Sequence, residues 1–378
     1  MENPVRVLQI LGDFAGGGVE SVILNYYKNI DRKKIQFDFI VHDNSSEDIL
    51  PVVSKMGAKV FKVPSCKRHL ISYMLSLYRI IKNEKYQIVH SNMSTLSFFS
   101  LLVAKLCGTE IRILHNHTTS TPAEKINNWL KLILRPLACA CANTYWACSE
   151  HAADWMFGKK GKIRASAKIV NNAINLVNFA FNNQARVLIR NKYGLENDFV
   201  IGFVGRLVYQ KNPMFALEVY NEFQRNIKNS KLLIIGDGPL CNELKKTVMN
   251  LGLNDKVLFL GIQHNVNDFY SAMDAFIFPS RYEGFGMAAL EAQISGLQCL
   301  LSTNVPKEAV VVQDCVKYLA IKNIQLWVNE LMKDFKKNKN RSMTIRNIEI
   351  FRRAGFDIKE ESKKLVSSYY NLIGLKNE

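Results

Sequence analysis

Short apolar runs alternate with longer helix-like segments along the whole chain, and no other sequence feature constrains the fold as strongly. Each run has the length of a buried strand, and the segments between them are long enough for helices. Strands that alternate with helices form parallel sheets, so the predicted fold class is α/β. The predicted strands are Val5–Leu11, Ile35–His42, Lys59–Val63, Gln87–His90, Ile111–Leu114, Thr144–Cys148, Lys168–Val170, Phe199–Val204, Lys231–Ile235, Val257–Leu260, Ala275–Phe278 and Gln298–Leu301.

A polar stretch of weaker pattern, Asn175–Asn197, divides this alternation into two series. A chain of 378 residues is longer than one hydrophobic core usually supports. We therefore predict two Rossmann-like domains, 1–175 and 176–355, joined by the polar stretch, with a C-terminal helix in 356–378 that crosses back to the first domain. Ligands bind such sheets beyond the carboxyl ends of the strands, so the two sheets are expected to face a common cleft.

The stretch Pro279–Gly296 is the strongest candidate for a binding site. Gly284 and Gly286 form a loop in which the backbone can approach a ligand closely. Strong helix formers follow from Met287 onwards. A glycine-containing loop that leads into a helix offers free N–H groups and the positive end of the helix dipole to an anion.

Two carboxylates, Glu283 and Glu291, flank this loop and helix start. Glu283 has the spacing of a capping box with Ser280, but a helix starting there would contain two glycines at about 1 kcal/mol each. Glu291 could be an ordinary solvated position, but its helical neighbours are mostly apolar and a Glu among them needs a partner. We favour a functional role for both carboxylates.

The pattern of Glu283, Gly284-Phe285-Gly286 and Glu291 resembles the donor-binding signature of retaining GT-B glycosyltransferases. The similarity is greatest to the family 4 class, which builds bacterial surface polysaccharides. It implies that Glu283 lies near the donor sugar and that Glu291 binds the ribose hydroxyls of the nucleotide. The intervening residues would contribute to the same donor site.

Two further motifs of the second half lie at strand ends. Arg206 and Lys211 lie five residues apart across a turn and could converge on one diphosphate, although exposed cations are common at such positions. Gly236 and Gly238 half-match a dinucleotide fingerprint, but Cys241 replaces its third glycine. The resemblance implies that both cations stabilise the leaving diphosphate and that the two glycines line the nucleotide pocket.

Two motifs of the first half resemble family elements more loosely. Gly17 and Gly18 follow the first strand and open a helix, where their N–H groups could meet a phosphate or the transferred sugar. His117 is expected near the donor sugar and the acceptor, with His115 as the alternative. A metal site at these histidines would need a third ligand, and the spacing supplies none.

Three positions depart from, or only weakly resemble, the family pattern. Ala173 and Asn212 stand where the family often has glycine, so the hinge turn near Ala173 is expected to differ. Glu308 resembles a further pocket residue of the family.

Composition and charge indicate the compartment and the partners. The 50 basic and 33 acidic residues give a net charge of +17, which favours phosphorylated substrates or anionic lipid, and no nucleic-acid module accompanies it. Eight cysteines without a Cys-x-x-Cys motif, and an N-terminus unlike a signal peptide, predict a cytoplasmic protein. No Asp-x-Asp occurs, so we expect no cofactor and no metal.

The resemblance implies a retaining glycosyltransferase that moves a sugar from a nucleotide-diphosphate donor, a UDP-linked hexose or N-acetylhexosamine. The expected acceptor is a glycan or a polyprenyl-linked oligosaccharide. The segments Leu70–Ile81 and Lys125–Leu137 mix apolar and basic residues and could rest on an anionic membrane, or simply pack on their own sheet. The alternatives are an NAD-dependent oxidoreductase and a nucleic-acid-binding protein.

Overall fold

The computed structural model describes residues 4–12, 18–45, 50–117, 125–336, 341 and 344–375, and of residues 125–128 only the backbone. The chain forms two compact units. The first contains Met1–Ile174 and Gly355–Glu378, and the second contains Asn175–Ala354. The C-terminal helix therefore belongs to the first unit.

The described part of the first unit contains a seven-stranded parallel sheet in the order β3-β2-β1-β4-β5-β6-β7. Its strands are β1 (Val5–Ile10), β2 (Ile35–His42), β3 (Val60–Val63), β4 (Ile88–Ser91), β5 (Ile111–Asn116), β6 (Thr144–Ala147) and β7 (Lys168–Ile169). β5 continues two residues beyond the predicted end, so His115 lies within the strand and His117 directly after it.

The described part of the second unit contains a six-stranded parallel sheet in the order β10-β9-β8-β11-β12-β13. Its strands are β8 (Phe199–Val204), β9 (Ser230–Ile235), β10 (Val257–Gly261), β11 (Ala275–Phe278), β12 (Gln298–Ser302) and β13 (Val316–Leu319). The sequence analysis missed β13, which pairs at the sheet edge with β12.

Helices connect the strands in both units, and both sheets have the strand order of Rossmann-like folds. The structure confirms the predicted α/β class with two parallel-sheet domains. The helices are α1 (Gly18–Asn29), α2 (Leu50–Lys55), α3 (Leu70–Glu84), α4 (Ser97–Leu106), α5 (Lys125–Cys141), α6 (Glu150–Phe157), α7 (Lys162–Ser166), α8 (Leu176–Phe179), α9 (Asn183–Tyr193), α10 (Pro213–Asn226), α11 (Cys241–Asn250), α12 (Val266–Ala272), α13 (Met287–Ile294), α14 (Ile324–Lys336), α15 (Thr344–Arg353) and α16 (Ile358–Leu372).

Both faces of the second sheet are buried, which explains why its strands read as nearly continuous apolar runs. Along β9, Leu232 and Ile234 pack into the cluster on one face. Leu233 and Ile235 pack into the cluster on the other face.

The predicted linker Asn175–Asn197 is wrong, because α8 and α9 occupy most of it within the second unit. Asn182 caps α9 by accepting hydrogen bonds from two backbone N–H groups. Arg190 is buried, and its Nη2 lies 2.5 Å from Oδ2 of Asp274. Oδ1 of the same carboxylate accepts from Nη2 of Arg186 at 2.7 Å. These polar residues interrupt the apolar pattern of the sequence, and their hydrogen bonds and ion pairs attach α9 to the second unit.

No described helix is both long enough and apolar enough to cross a membrane.

Candidate active site

The candidate site of the second unit lies at the carboxyl ends of β8 and β11, which are neighbours in the sheet. The strand order reverses between them, since β8 continues to β9 on one side and β11 to β12 on the other. Such a switch point leaves a crevice where ligands bind in open α/β sheets. Arg206 and Lys211 follow β8, and Glu283 follows β11.

Lys211 and Glu283 form an ion pair across this crevice. Nζ of Lys211 donates to Oε1 of Glu283 at 2.6 Å, and the Glu283 side chain is 4% exposed. The ammonium also lies 5.0 Å from the centre of the Phe278 ring. Glu283 therefore does not act as a helix cap reaching back to Ser280; its carboxylate has a charged partner instead.

Hydrogen bonds hold the two loops that carry this pair. Nε2 of Gln210 donates to the Tyr282 carbonyl at 3.1 Å, and the Arg281 backbone N–H donates to the Gln210 carbonyl at 2.8 Å. Asn212 has a φ of 56°, and its Nδ2 donates to the Pro279 carbonyl at 3.2 Å. Asn tolerates this left-handed backbone, which explains how it replaces the family's glycine.

Glu291 lies in α13 and is paired with Tyr270. Its Oε2 accepts a hydrogen bond from the Tyr270 hydroxyl at 2.9 Å. Burial raises the pKa of Glu291 to about 7, although the Tyr270 hydrogen bond and the Lys211 charge act in the opposite direction. Glu291 is thus not a solvated helix position. Its tyrosine partner was missed, because it lies 21 residues away in another helix.

Gly236 and Gly238 are required where two backbones approach closely. A Cβ atom on Gly236 would lie 2.1 Å from the Gly205 carbonyl oxygen, and one on Gly238 would lie 2.6 Å from that of Leu207. The Leu207 N–H donates to the Asp237 carbonyl at 2.9 Å. These glycines therefore place the Arg206 loop, in addition to any contact with a nucleotide.

The remaining predicted residues of the second unit are less constrained. Arg206 is exposed, and it makes no ion pair within the described part of the chain. Phe285 is buried, and Gly286 precedes α13 with a φ of 104°. Gly284 is half-buried between them, while Glu308 is exposed in a short turn after β12.

The candidate site of the first unit contains both predicted histidines. His115 and His117 are buried, with ring centres 3.9 Å apart. Nε2 of His117 lies 3.0 Å from Oδ1 of Asn92. Burial lowers the pKa of His117 to about 4 and that of His115 well below its usual value. Both rings are therefore neutral at neutral pH.

The glycine motif of the first unit is only partly described. Gly17 lies outside the described residues, and Gly18 is the first residue of α1, where it is exposed. Within the described ranges, no cluster of three or more His, Cys, Asp or Glu side chains has the arrangement of a metal site.

The sequence analysis also missed His90, which stacks on His115 with ring centres 5.2 Å apart. His90 lies in β4 and Asn92 directly after its last residue, and β4 pairs with β5 in the sheet. The sequence signal that could have identified His90 as a site residue is its position at the end of a strand predicted to lie beside the strand of His115.

Two family models match most of the chain in succession. The model described as Glycosyltransferase Family 4 matches residues 16–177. The model described as Glycosyl transferases group 1 matches residues 186–350.

Two curated relatives match over nearly their whole length. EpsF of Bacillus subtilis (strain 168) is 29% identical over 372 residues, 96% of each chain. The Escherichia coli UDP-Gal:alpha-D-GlcNAc-diphosphoundecaprenol alpha-1,3-galactosyltransferase is 26% identical over 376 residues, 94% of each chain. The Anabaena protein HepE, in complex with UDP and glucose, aligns with a TM-score of 0.80 at 15% identity and covers 96% of this chain and 98% of its own.

The structural likeness establishes the predicted GT-B fold, and the family models identify an enzyme of the transferase class rather than an oxidoreductase or a nucleic-acid-binding protein. The chain therefore belongs to the GT-B glycosyltransferases, with a Glycosyltransferase Family 4 domain followed by a glycosyl transferases group 1 domain.

Proposed function

We propose that this glycosyltransferase moves a hexosyl or N-acetylhexosaminyl group from a UDP-linked donor to a glycan or polyprenyl-linked acceptor, with retention at the anomeric carbon. The E. coli relative is named for a UDP-Gal donor and a diphosphoundecaprenol-linked acceptor, which supports both parts of the proposal. The transfer would be one step in the assembly of a surface polysaccharide.

The observation that carries this proposal is the Lys211–Glu283 pair at the switch point of the second sheet. A sugar diphosphate has an anionic end, which a cation can bind, and a hydroxyl-bearing end, which a carboxylate can bind. In the proposal, Lys211 turns to the diphosphate when the donor binds, and Glu283 accepts hydrogen bonds from hydroxyls of the sugar.

Arg206 is assigned to the same diphosphate. The bond from the anomeric carbon to the diphosphate oxygen breaks, a bond from the acceptor hydroxyl oxygen forms on the same face of the sugar, and the hydroxyl proton passes to the leaving diphosphate. Negative charge grows on the leaving diphosphate, so fixed cations bind the transition state more tightly than the ground state. The two cations and the N-terminus of α13 supply this charge, and the proposal requires no metal.

The nucleotide is assigned to Glu291 and to the turn at Gly236 and Gly238. A carboxylate that accepts from Tyr270 through Oε2 has a second oxygen for the ribose hydroxyls. In the first unit, His117 is assigned to the sugar being transferred and to the acceptor.

Peripheral attachment to an anionic membrane is a further part of the proposal. On α5, Trp129 is 67% exposed, and Leu130, Leu132, Ile133 and Leu137 are exposed with it. On α3, Ile71 is 76% exposed and Leu75 is exposed, while the opposite face of the helix packs into the core. Exposed apolar side chains accompanied by basic residues suit the headgroup region of a bilayer that carries a lipid-linked acceptor.

Donor hydrolysis tests the proposed activity without knowledge of the acceptor. We expect release of UDP from UDP-glucose, UDP-galactose or UDP-N-acetylglucosamine, with the same rate in the presence of EDTA. Release from none of them, or from GDP-mannose alone, would contradict the proposed donor class. Loss of the rate in EDTA would contradict the assignment of the diphosphate charge to Arg206 and Lys211.

A further inference from the structure

Arg281 lies in the loop that carries Glu283, and its side chain contacts the turn that carries Lys211. The guanidinium carbon lies 4.2 Å from the centre of the Tyr209 ring. Nη2 donates to Oδ1 of Asn212 at 3.0 Å. Tyr209 and Asn212 lie on either side of Lys211 in the sequence. A single side chain therefore holds the turn on both sides of the cation assigned to the diphosphate.

The side-chain amide of Asn212 is fixed from two directions. The Pro279 carbonyl can only accept, so the Asn212 atom that lies 3.2 Å from it is the amide nitrogen Nδ2. The other atom, Oδ1, then faces Arg281, whose guanidinium can only donate. Asn212 is 3% exposed, so removal of Arg281 would leave a buried acceptor without this partner. Such a loss is costly.

Asn212 does not have the ordinary role of an asparagine at a helix start. It occupies the N-cap position of α10, where an asparagine side chain usually accepts from a helix N–H group. Within α10, which the structure describes in full, no N–H group bonds to this side chain. The backbone has a φ of 56°, which glycine adopts readily and other residues adopt at a cost. The contacts with Arg281 and Pro279 therefore offset the strain at Asn212.

The conformation of this turn determines where the Lys211 ammonium lies. The N–H groups of Lys211 and Asn212 both donate to the Val208 carbonyl, at 3.0 and 3.3 Å, and so close the turn. The Lys211 side chain extends from the closed turn to Glu283. A turn that is held on both sides of Lys211 presents the ammonium at one place. Small displacements of a group that stabilises a transition state lower the rate strongly.

We propose that Arg281 is a positioning residue for Lys211, and that it forms a matched pair with Asn212 where the family pattern often has glycine. Arg281 acts through the turn and does not contact the donor itself. The proposal rests on the proposed function, since it concerns the same site and the same leaving diphosphate.

The alternative is that Arg281 binds the diphosphate directly, as a third cation. Its geometry favours the turn instead. Nη2 is engaged by Asn212, and one side of the guanidinium faces the Tyr209 ring. Nε is buried, although it makes no hydrogen bond with any residue that the structure describes. The planar fork of the guanidinium is thus directed at the turn and not at a ligand.

Donor hydrolysis by wild type, Arg281→Met, Asn212→Gly and the double variant tests how Arg281 acts. Arg281→Met should lower turnover on the order of 10- to 100-fold, because the Lys211 ammonium is displaced. Glycine at position 212 adopts the required φ without help from a side chain. In the Asn212→Gly protein, the added change Arg281→Met should therefore lower turnover by less than about threefold.

The control is Arg225→Met, which removes one positive charge from an exposed position of α10 in the same unit. Its turnover should equal that of wild type. A direct contact between Arg281 and the diphosphate predicts the full loss in both backgrounds, and that result would overturn the proposal. Turnover of Arg281→Met within about threefold of wild type would overturn it as well.

Urea unfolding gives a second readout that does not depend on activity. The coupling energy between Lys211 and Glu283 follows from the stabilities of Lys211→Ala, Glu283→Gln and their double variant, each relative to its parent protein. We expect this coupling to fall by about half or more when the parent carries Arg281→Met. A residue with only a structural role would lower the stability of all variants equally and leave the coupling unchanged.

The two readouts separate this proposal from the proposed function. If wild type releases UDP from no UDP-sugar, the proposed donor class fails and the coupling energy alone decides whether Arg281 positions Lys211. A reduced coupling in the Arg281→Met parent then supports the proposal, and an unchanged coupling overturns it.

Discussion

Nζ of Lys211 lies 2.6 Å from Oε1 of Glu283, so the cation assigned to the diphosphate and the carboxylate assigned to the sugar form one ion pair. The residues come from loops after two different strands of the second sheet. Hydrogen bonds through Gln210 and Asn212 hold these loops together. Substitution of either partner should therefore affect both stability and donor binding.

Lys211→Ala should lower the free energy of unfolding by about 1–3 kcal/mol, because it leaves the buried Glu283 carboxylate without a partner. Arg206→Ala, at an exposed position without an ion pair among described residues, should change it by less than about 0.5 kcal/mol. Urea unfolding of both variants measures the difference. The double variant Lys211→Ala/Glu283→Gln should recover much of the loss. Equal stability of the two single variants would show that the pair contributes nothing in solution.

Glu291→Gln should weaken UDP binding, and the weakening should grow from pH 6 to pH 8. The pKa of Glu291 is about 7, so only at higher pH does wild type present an ionised carboxylate to the ribose hydroxyls. Calorimetric titration across this range gives the Kd of UDP for both proteins. The ratio of the two Kd values removes the effect of phosphate ionisation, which is the same for both. A ratio that is independent of pH would argue against a ribose contact by the carboxylate.

The same residue should have the opposite effect on stability. The pKa of Glu291 is higher in the folded protein than its ordinary value of 4.5, so the folded state binds more protons between these values. The stability that wild type gains from this proton is fully present below pH 4.5 and is lost as pH rises through 7. Relative to Glu291→Gln, wild type should lose up to about 3 kcal/mol between pH 4.5 and pH 8. Thermal melts of both proteins across this range measure the loss.

Gly236→Ala should destabilise the protein and weaken UDP binding, because its Cβ would meet the Gly205 carbonyl oxygen. We expect a loss of about 2 kcal/mol or more. Gly252→Ala is the matched control, since Gly252 also has a positive φ of 67° but no atom within 4 Å of the added Cβ. It should lose about 1 kcal/mol from backbone strain and keep its UDP affinity. Similar losses in both variants would assign the effect to φ alone.

Trp129→Glu should reduce co-sedimentation with vesicles that contain anionic lipid at low salt. The side chain is exposed on α5, where it would enter the headgroup region. Ile262→Glu, at a 69% exposed apolar position of the second unit, adds the same charge and should leave binding unchanged. If wild type does not sediment with the vesicles, membrane attachment is contradicted, and equal losses in both variants would indicate a net-charge effect.

Strands such as β9 and β11 were predictable because burial on both faces makes them nearly continuous apolar runs between turn residues. The strand prediction missed β13, because this strand lies at the sheet edge. Its residues Lys317, Tyr318 and Leu319 are at least partly exposed. The helix α9 was read as a linker because its polar residues, above all Arg186 and Arg190, bond to groups 82 to 88 residues away. Local patterns carry no information on such distant partners.

The candidate site shows the same contrast between residues that the sequence pattern reveals and distant partners that it does not. Glu283, Lys211 and His117 lie in loops or at strand ends, where a polar residue after an apolar run is visible in the sequence. The partners of Glu291 and His90 are harder to find, because Tyr270 and Tyr369 contribute single hydroxyls from helices that lie 21 and 279 residues away along the chain. Only the folded chain brings these hydroxyls to the carboxylate and the imidazole.

The central claim is that Arg206 and Lys211 stabilise one leaving diphosphate, and donor-hydrolysis rates at fixed ionic strength test it most directly. The four proteins are wild type, Arg206→Ala, Lys211→Ala and the double variant, each compared below its melting temperature. Each single variant should lose on the order of 100- to 1000-fold in turnover. The double variant should lose less than the product of the single losses, because both cations act on the same group. Turnover near that of wild type in either single variant would contradict the account.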